Sequence, residues 1–91
     1  MKSLFKVVNQ SQPSTVQKQD GSSINKSTIV LQEIGGKFEN TYVATLLGNA
    51  ATCKFYSGDY VWAALRFNSR EYQGNFYQDI TVQDIVSFSH H

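Results

Sequence analysis

Gly58-Asp59-Tyr60-Val61-Trp62-Ala63-Ala64-Leu65-Arg66-Phe67-Asn68-Ser69-Arg70-Glu71-Tyr72-Gln73-Gly74-Asn75-Phe76-Tyr77 is the stretch from which the rest of the chain can be read. Successive side chains of an extended strand point to opposite faces. From Val61 onward one face therefore carries Val61, Ala63, Leu65 and Phe67, an ordinary core stripe. The other carries Trp62, Ala64, Arg66, Asn68, Arg70 and Tyr72, and so gathers the protein's one tryptophan and both of its arginines. A solvent-facing row of indole, guanidinium and phenol groups suits stacking on flat rings beside negative charge.

Gln73-Gly74 sits where this strand should reverse. If Tyr72 pairs with Asn75, Phe67 falls opposite Ile80 and Leu65 opposite Val82, which matches apolar with apolar on the core side. The same register sets Tyr77, Asp79 and Thr81 beside Arg70, Asn68 and Arg66. A slip of one residue would scramble both faces. The returning strand then continues through Ile80 and Val82 toward Ile85-Val86.

Working back from this hairpin, three more strands are expected. Leu4 to Asn9 alternates Leu4, Lys6 and Val8 against Phe5 and Val7, and Ser11-Gln12-Pro13-Ser14 bends or breaks it. A short extended piece, Thr15 to Gln19, ends at the turn signal Asp20-Gly21-Ser22-Ser23. The second strand runs from Ile24 to Ile34, with Ile29 and Leu31 inward and Thr28, Val30 and Gln32 outward. A Gly35-Gly36 hairpin leads to the third strand, Thr41 to Leu47. Gly48 to Phe55 reads as one or two helical turns with Asn49 as N-cap. Five strands with a short helix between the third and fourth make an all-β chain wired as an OB-fold barrel, a fold that binds oligonucleotides and oligosaccharides.

Gly58-Asp59-Tyr60-Val61-Trp62, followed by Ser69-Arg70-Glu71-Tyr72-Gln73-Gly74-Asn75-Phe76-Tyr77-Gln78-Asp79-Ile80, resembles the closing hairpin of bacterial single-stranded DNA-binding proteins. It is more similar still to a family of small bacterial OB-fold proteins whose hairpin reads S-R-E-Y-x-G-x-(W/F)-Y-x-D-I. Leu46-Leu47-Gly48-Asn49-Ala50-Ala51 resembles the helix entry of the same group. The resemblance covers about residues 24 to 86 and is strongest from 58 to 82. It implies base stacking at Tyr72 beside a basic Arg70. The third-strand tryptophan of that group has only Tyr42 as a counterpart, and the acidic C-terminal tail that recruits replication partners is absent from this sequence.

A length of 91 residues fits one domain, here 1–89, with His90 and His91 read as a purification-tag remnant and set aside. Without them the sequence holds no histidine, so zinc clusters and histidine-based acid–base chemistry lose their main side chain. Gly35-Gly36-Lys37 lacks the spacing of a phosphate-cradling loop. No pair of carboxylates is forced into one site, so the expectation is a protein that is not an enzyme and uses neither cofactor nor metal. The net charge of +1 gives no strong overall field, and attraction to a polyanion must come from local clustering. Cys53 stands alone, and no apolar run reaches the length of a membrane span, so the expected location is the cytoplasm.

The expected ligand is single-stranded DNA or RNA, bound largely without regard to sequence. The candidate contacts are Trp62, Arg66, Arg70, Tyr72, Tyr77 and Tyr42, with Phe38 and Lys37 from the loop between the second and third strands. The alternative is an assembly module that packs the same aromatic face on a protein, because exposed aromatic strand faces also serve as subunit interfaces. Oligosaccharide binding on the same fold is the third reading. So small a barrel is also expected to self-associate as a dimer or tetramer.

Overall fold

The computed structural model describes residues 1–35 and 40–88. Lys37 and Phe38 lie outside the described residues. Six strands form: β1 (Lys2–Gln10), β2 (Ser14–Gln17), β3 (Ser23–Glu33), β4 (Thr41–Leu47), β5 (Tyr60–Tyr72) and β6 (Asn75–Ser87), with a single helical turn α1 (Asn49–Thr52) between β4 and β5. Hydrogen bonding orders them β1-β5-β6-β4-β3-β2, and an extra β1–β3 pairing bends the sheet into a five-stranded barrel with β2 appended to β3. This is the expected OB-fold, with β2 as an added edge strand where a short extended piece was expected. The closure is loose on one side, where β4 and β6 run parallel through one pair, Thr45 with Thr81.

Alternation fills the barrel as anticipated. Phe5 and Val7 of β1, Ile29 and Leu31 of β3, Ala44 and Leu46 of β4, Val61, Ala63 and Leu65 of β5 and Val82 of β6 make one buried cluster, joined by Ala51 of α1. Gly48, not Asn49, occupies the N-cap of α1, with φ 68° and ψ −135° and no side-chain capping bond. Backbone of that shape is nearly closed to residues with a Cβ, so the glycine sets the sharp entry and Asn49 starts the turn itself. Asp59 immediately precedes β5: it is buried, and its Oδ2 accepts a 2.9 Å bond from the Tyr56 backbone amide. The Val7 amide donates to the Asp59 carbonyl, which ties this turn to β1.

The β5–β6 register is the one read from the sequence, from Tyr72–Asn75 through Arg70–Tyr77, Asn68–Asp79, Arg66–Thr81 and Phe67–Ile80 to Leu65–Val82. A bulge follows, because Ala64 pairs with Asp84 and Gln83 is left over. The extra residue lets Val82 and Ile85, three apart in sequence, both reach the core side, where a regular strand would turn Ile85 outward. Beyond Leu65 the two strands outrun the barrel and stand out as an arm, residues 66–81. Phe67, expected in the core stripe, is therefore left partly open.

No helix of the described residues is long and apolar enough to cross a membrane.

Candidate nucleic-acid interface

Pairing across β5 and β6 places Arg66, Asn68, Arg70 and Tyr72 on one face of the arm with Thr81, Asp79, Tyr77 and Asn75. Arg70 is the hub of this face. Its Nε lies 3.3 Å from Asp79 Oδ2, and its guanidinium carbon is 5.7 Å from the centre of the Tyr77 ring. Both members of the ion pair are exposed, 69% for Arg70 and 50% for Asp79, so water screens the attraction and the arginine is held loosely. Tyr72 is 64% exposed at the tip, and Arg70, Glu71, Tyr72 and Tyr77 line an open recess of about 360 Å³. Phe76, 78% exposed, pairs with Glu71 on the opposite face of the arm. The sequence offers Phe76 as a further stacking platform beside Tyr77, and the register sets it on the face of the arm away from Arg70.

The arm is not isolated from the barrel surface. Arg66 pairs with Thr81, Thr81 with Thr45 across the parallel seam, and Thr45 with Thr28, so one row of residues runs from the root of the arm onto the outer face of β3 and β4. That outer face carries Thr28, Val30 and Gln32 of β3 opposite Thr45, Val43 and Thr41 of β4, with Lys26 opposite Leu47 at its far end. It has no aromatic side chain among the described residues.

Two expected contacts sit elsewhere. Tyr42 shares the inner face of β4 with Ala44 and Leu46. Its ring meets Phe5 and Phe67 edge to face, at 5.9 and 6.2 Å between ring centres. Its hydroxyl donates to Glu33 Oε1 at 2.7 Å, and that bond, more than partial burial or the carboxylate's charge, pushes the phenol above its usual pKa. Tyr42 is thus a packing residue at the barrel end and not part of the arm's arginine face.

Trp62 does lie on the same outer face of β5 as Arg66, Arg70 and Tyr72, but in different company. It is half-buried between Leu4 of β1 and Val86 of β6. At about 3.3 Å per residue it is about 26 Å from Arg70 along the strand. The expected aromatic ribbon is therefore two separate patches: an apolar one around Trp62 and an arginine–tyrosine one on the arm. Lys54, which follows α1, sets its ammonium over the Tyr56 ring at 4.9 Å.

No protein-family model and no curated protein matches the sequence. Among solved structures, the chain is similar to the second OB-fold domain of replication protein A from Methanococcus maripaludis. The TM-score is 0.72 at 16% identity, over 99% of this chain and 84% of that one. At that identity the likeness speaks for the fold.

Proposed function

We propose that this protein binds single-stranded nucleic acid without transforming it, by stacking bases on the aromatic rings of the β5–β6 arm while its arginines meet phosphates. The contacts are Arg66, Arg70, Tyr72 and Tyr77, with Phe76 at the tip. The observation that carries the reading is the arm itself. Two strands extended past the core, with little burial beyond Phe67 and Ile80 at their root, present both arginines and the exposed rings of Tyr72, Phe76 and Tyr77 to solvent. Unpaired bases offer such rings about 1–3 kcal/mol each, and every base has a face to offer, so the binding is largely indifferent to sequence. The row leading from Arg66 to Thr28 gives the strand a continuous track onto the β3–β4 face, which OB-folds use for oligonucleotides. The likeness to a replication protein A domain supports nucleic-acid binding at the level of the fold.

With two arginines on the track and one of them shared with Asp79, affinity is moderate and its logarithm falls with the logarithm of salt at about −0.7 per phosphate neutralised. Fluorescence anisotropy of labelled oligo-dT and oligo-rU at low salt tests this. Saturable binding that weakens in Arg70→Ala and Tyr72→Ala is expected. Absence of binding to either polymer at low salt rejects the proposal.

A further inference from the structure

The patch around Trp62 has its own logic. Three residues of β1, three of β5 and three at or just past the end of β6 align on the outer side in three rows, of which only Ala64 is buried. Lys2, Ala64 and Asp84 form the first, and Leu4, Trp62 and Val86 the second. Lys6, Tyr60 and Phe88 form the third, with the Phe88 amide donating to the Tyr60 carbonyl at 3.0 Å. Leu4, Val86 and Phe88 are 51%, 48% and 56% exposed, which leaves an open apolar surface at the middle of the sheet. Its charges are sorted by edge: lysines on β1, an aspartate on β6.

We infer that this face binds a second copy of the chain, face to face, about a two-fold axis parallel to β5. The charge pattern selects that axis. A two-fold axis along β5 lays β1 of one copy over β6 of the other, so Lys2 meets Asp84, Leu4 meets Val86, and Trp62 meets Trp62. An axis across the strands lays β1 over β1 and brings Lys2 against Lys6, a like-charge contact. Only the first arrangement is self-complementary in both apolar surface and charge, as an isologous interface requires.

Three strands at about 4.8 Å spacing over five residues of about 3.3 Å each give a flat footprint of about 240 Å², small beside the roughly 800 Å² per partner of a standard interface. The dimer is therefore reversible and concentration-dependent. Both β5 strands run the same way in it, so both arms leave from one end of the pair.

Sedimentation velocity over a concentration series, without nucleic acid, tests the inference separately from the proposed function. The wild type should pass from monomer to dimer as concentration rises, and Trp62→Glu should stay monomeric. The decisive set is a charge exchange at exposed positions that leaves the core alone. Lys2→Asp alone and Asp84→Lys alone should each weaken the dimer several-fold, and the double exchange should restore it. A wild type that remains monomeric throughout overturns the inference. So does a Lys2→Asp variant that associates more tightly, because that result belongs to the crossed axis, in which the new aspartate meets Lys6.

Discussion

Asp79 is the one acidic group on the arginine face of the arm, and removing its charge should improve binding. In Asp79→Asn the side chain keeps its size and its place opposite Asn68. The ion pair lost with it, 3.3 Å between Arg70 Nε and Asp79 Oδ2, joins two groups that are mostly in water, and such pairs contribute about 0–1 kcal/mol. The folded state should hardly notice. A phosphate held by Arg70 would stand about 6 Å from the Asp79 carboxylate, where repulsion between unit charges in water is about 0.7 kcal/mol. Relief of that repulsion corresponds to about a threefold gain in affinity. The gain should shrink as salt rises and the screening length falls toward the same distance. Anisotropy titrations of both proteins with oligo-dT at two salt concentrations, beside urea unfolding curves, measure each part. If Asp79→Asn binds more weakly while unfolding like the wild type, the carboxylate is holding Arg70 toward the ligand rather than competing for it, and the reasoning fails.

Tyr72→Ala should lose about 1–3 kcal/mol of binding if one base stacks there, with no change in urea midpoint, because the ring stands in solvent at the tip. Leu31→Ala removes a fully buried side chain from the centre of the barrel and should cost about 2–5 kcal/mol of stability, read as a lower urea midpoint. The raised Tyr42 phenol predicts an alkaline effect. A group whose pKa is higher in the folded state stabilises that state below its unfolded value, near 10, and loses the contribution as pH climbs through the folded value. Stability should therefore fall above about pH 10, and Tyr42→Phe, which has no proton to lose, should flatten that part of the profile measured by thermal unfolding.

The hairpin was legible because two independent constraints agreed. Gln73-Gly74 is a turn, and only one register about it sets Leu65 and Phe67 against Val82 and Ile80. The same arithmetic holds two further signals. Stepping back by twos from Leu46 through Ala44 gives Tyr42, so alternation alone sets that ring inside. The spacing of Ile80, Val82 and Ile85 breaks the period of two, which is how a bulge looks in a sequence. The neighbours of Trp62 were another matter. Leu4 lies 58 residues earlier in the chain, and its place beside the indole depends on barrel closure through β1, a long-range pairing that no local pattern encodes. The extent of the arm was hidden for a similar reason. How far a hairpin projects depends on where its partners β1 and β4 stop, so Phe67 looked like core in sequence and is only half so in the fold.

That one strand should carry two unlike surfaces follows from how its partners are arranged. As far as Ala64, β5 has β1 on one side and β6 on the other, and a three-stranded outer face is wide enough to present Leu4, Trp62 and Val86 together. At the bulge the support changes. From Leu65 on, the ladder on the β1 side ends with the bonds between Leu65 and Met1, and β5 continues with β6 alone. Past the Thr81–Thr45 pair only two strands remain, and beyond Phe67 and Ile80 at its root such a ribbon buries little of either face, so the outer face turns to arginine, asparagine and tyrosine. Those are also the groups that can lie along a flexible, charged, ring-bearing polymer. On the proposed reading, the β3–β4 face, which among the described residues has the width but no rings, guides such a polymer without gripping it. In the proposed division the ribbon does the gripping, and the wide patch at the other end of β5 is the surface proposed for a second copy of the chain.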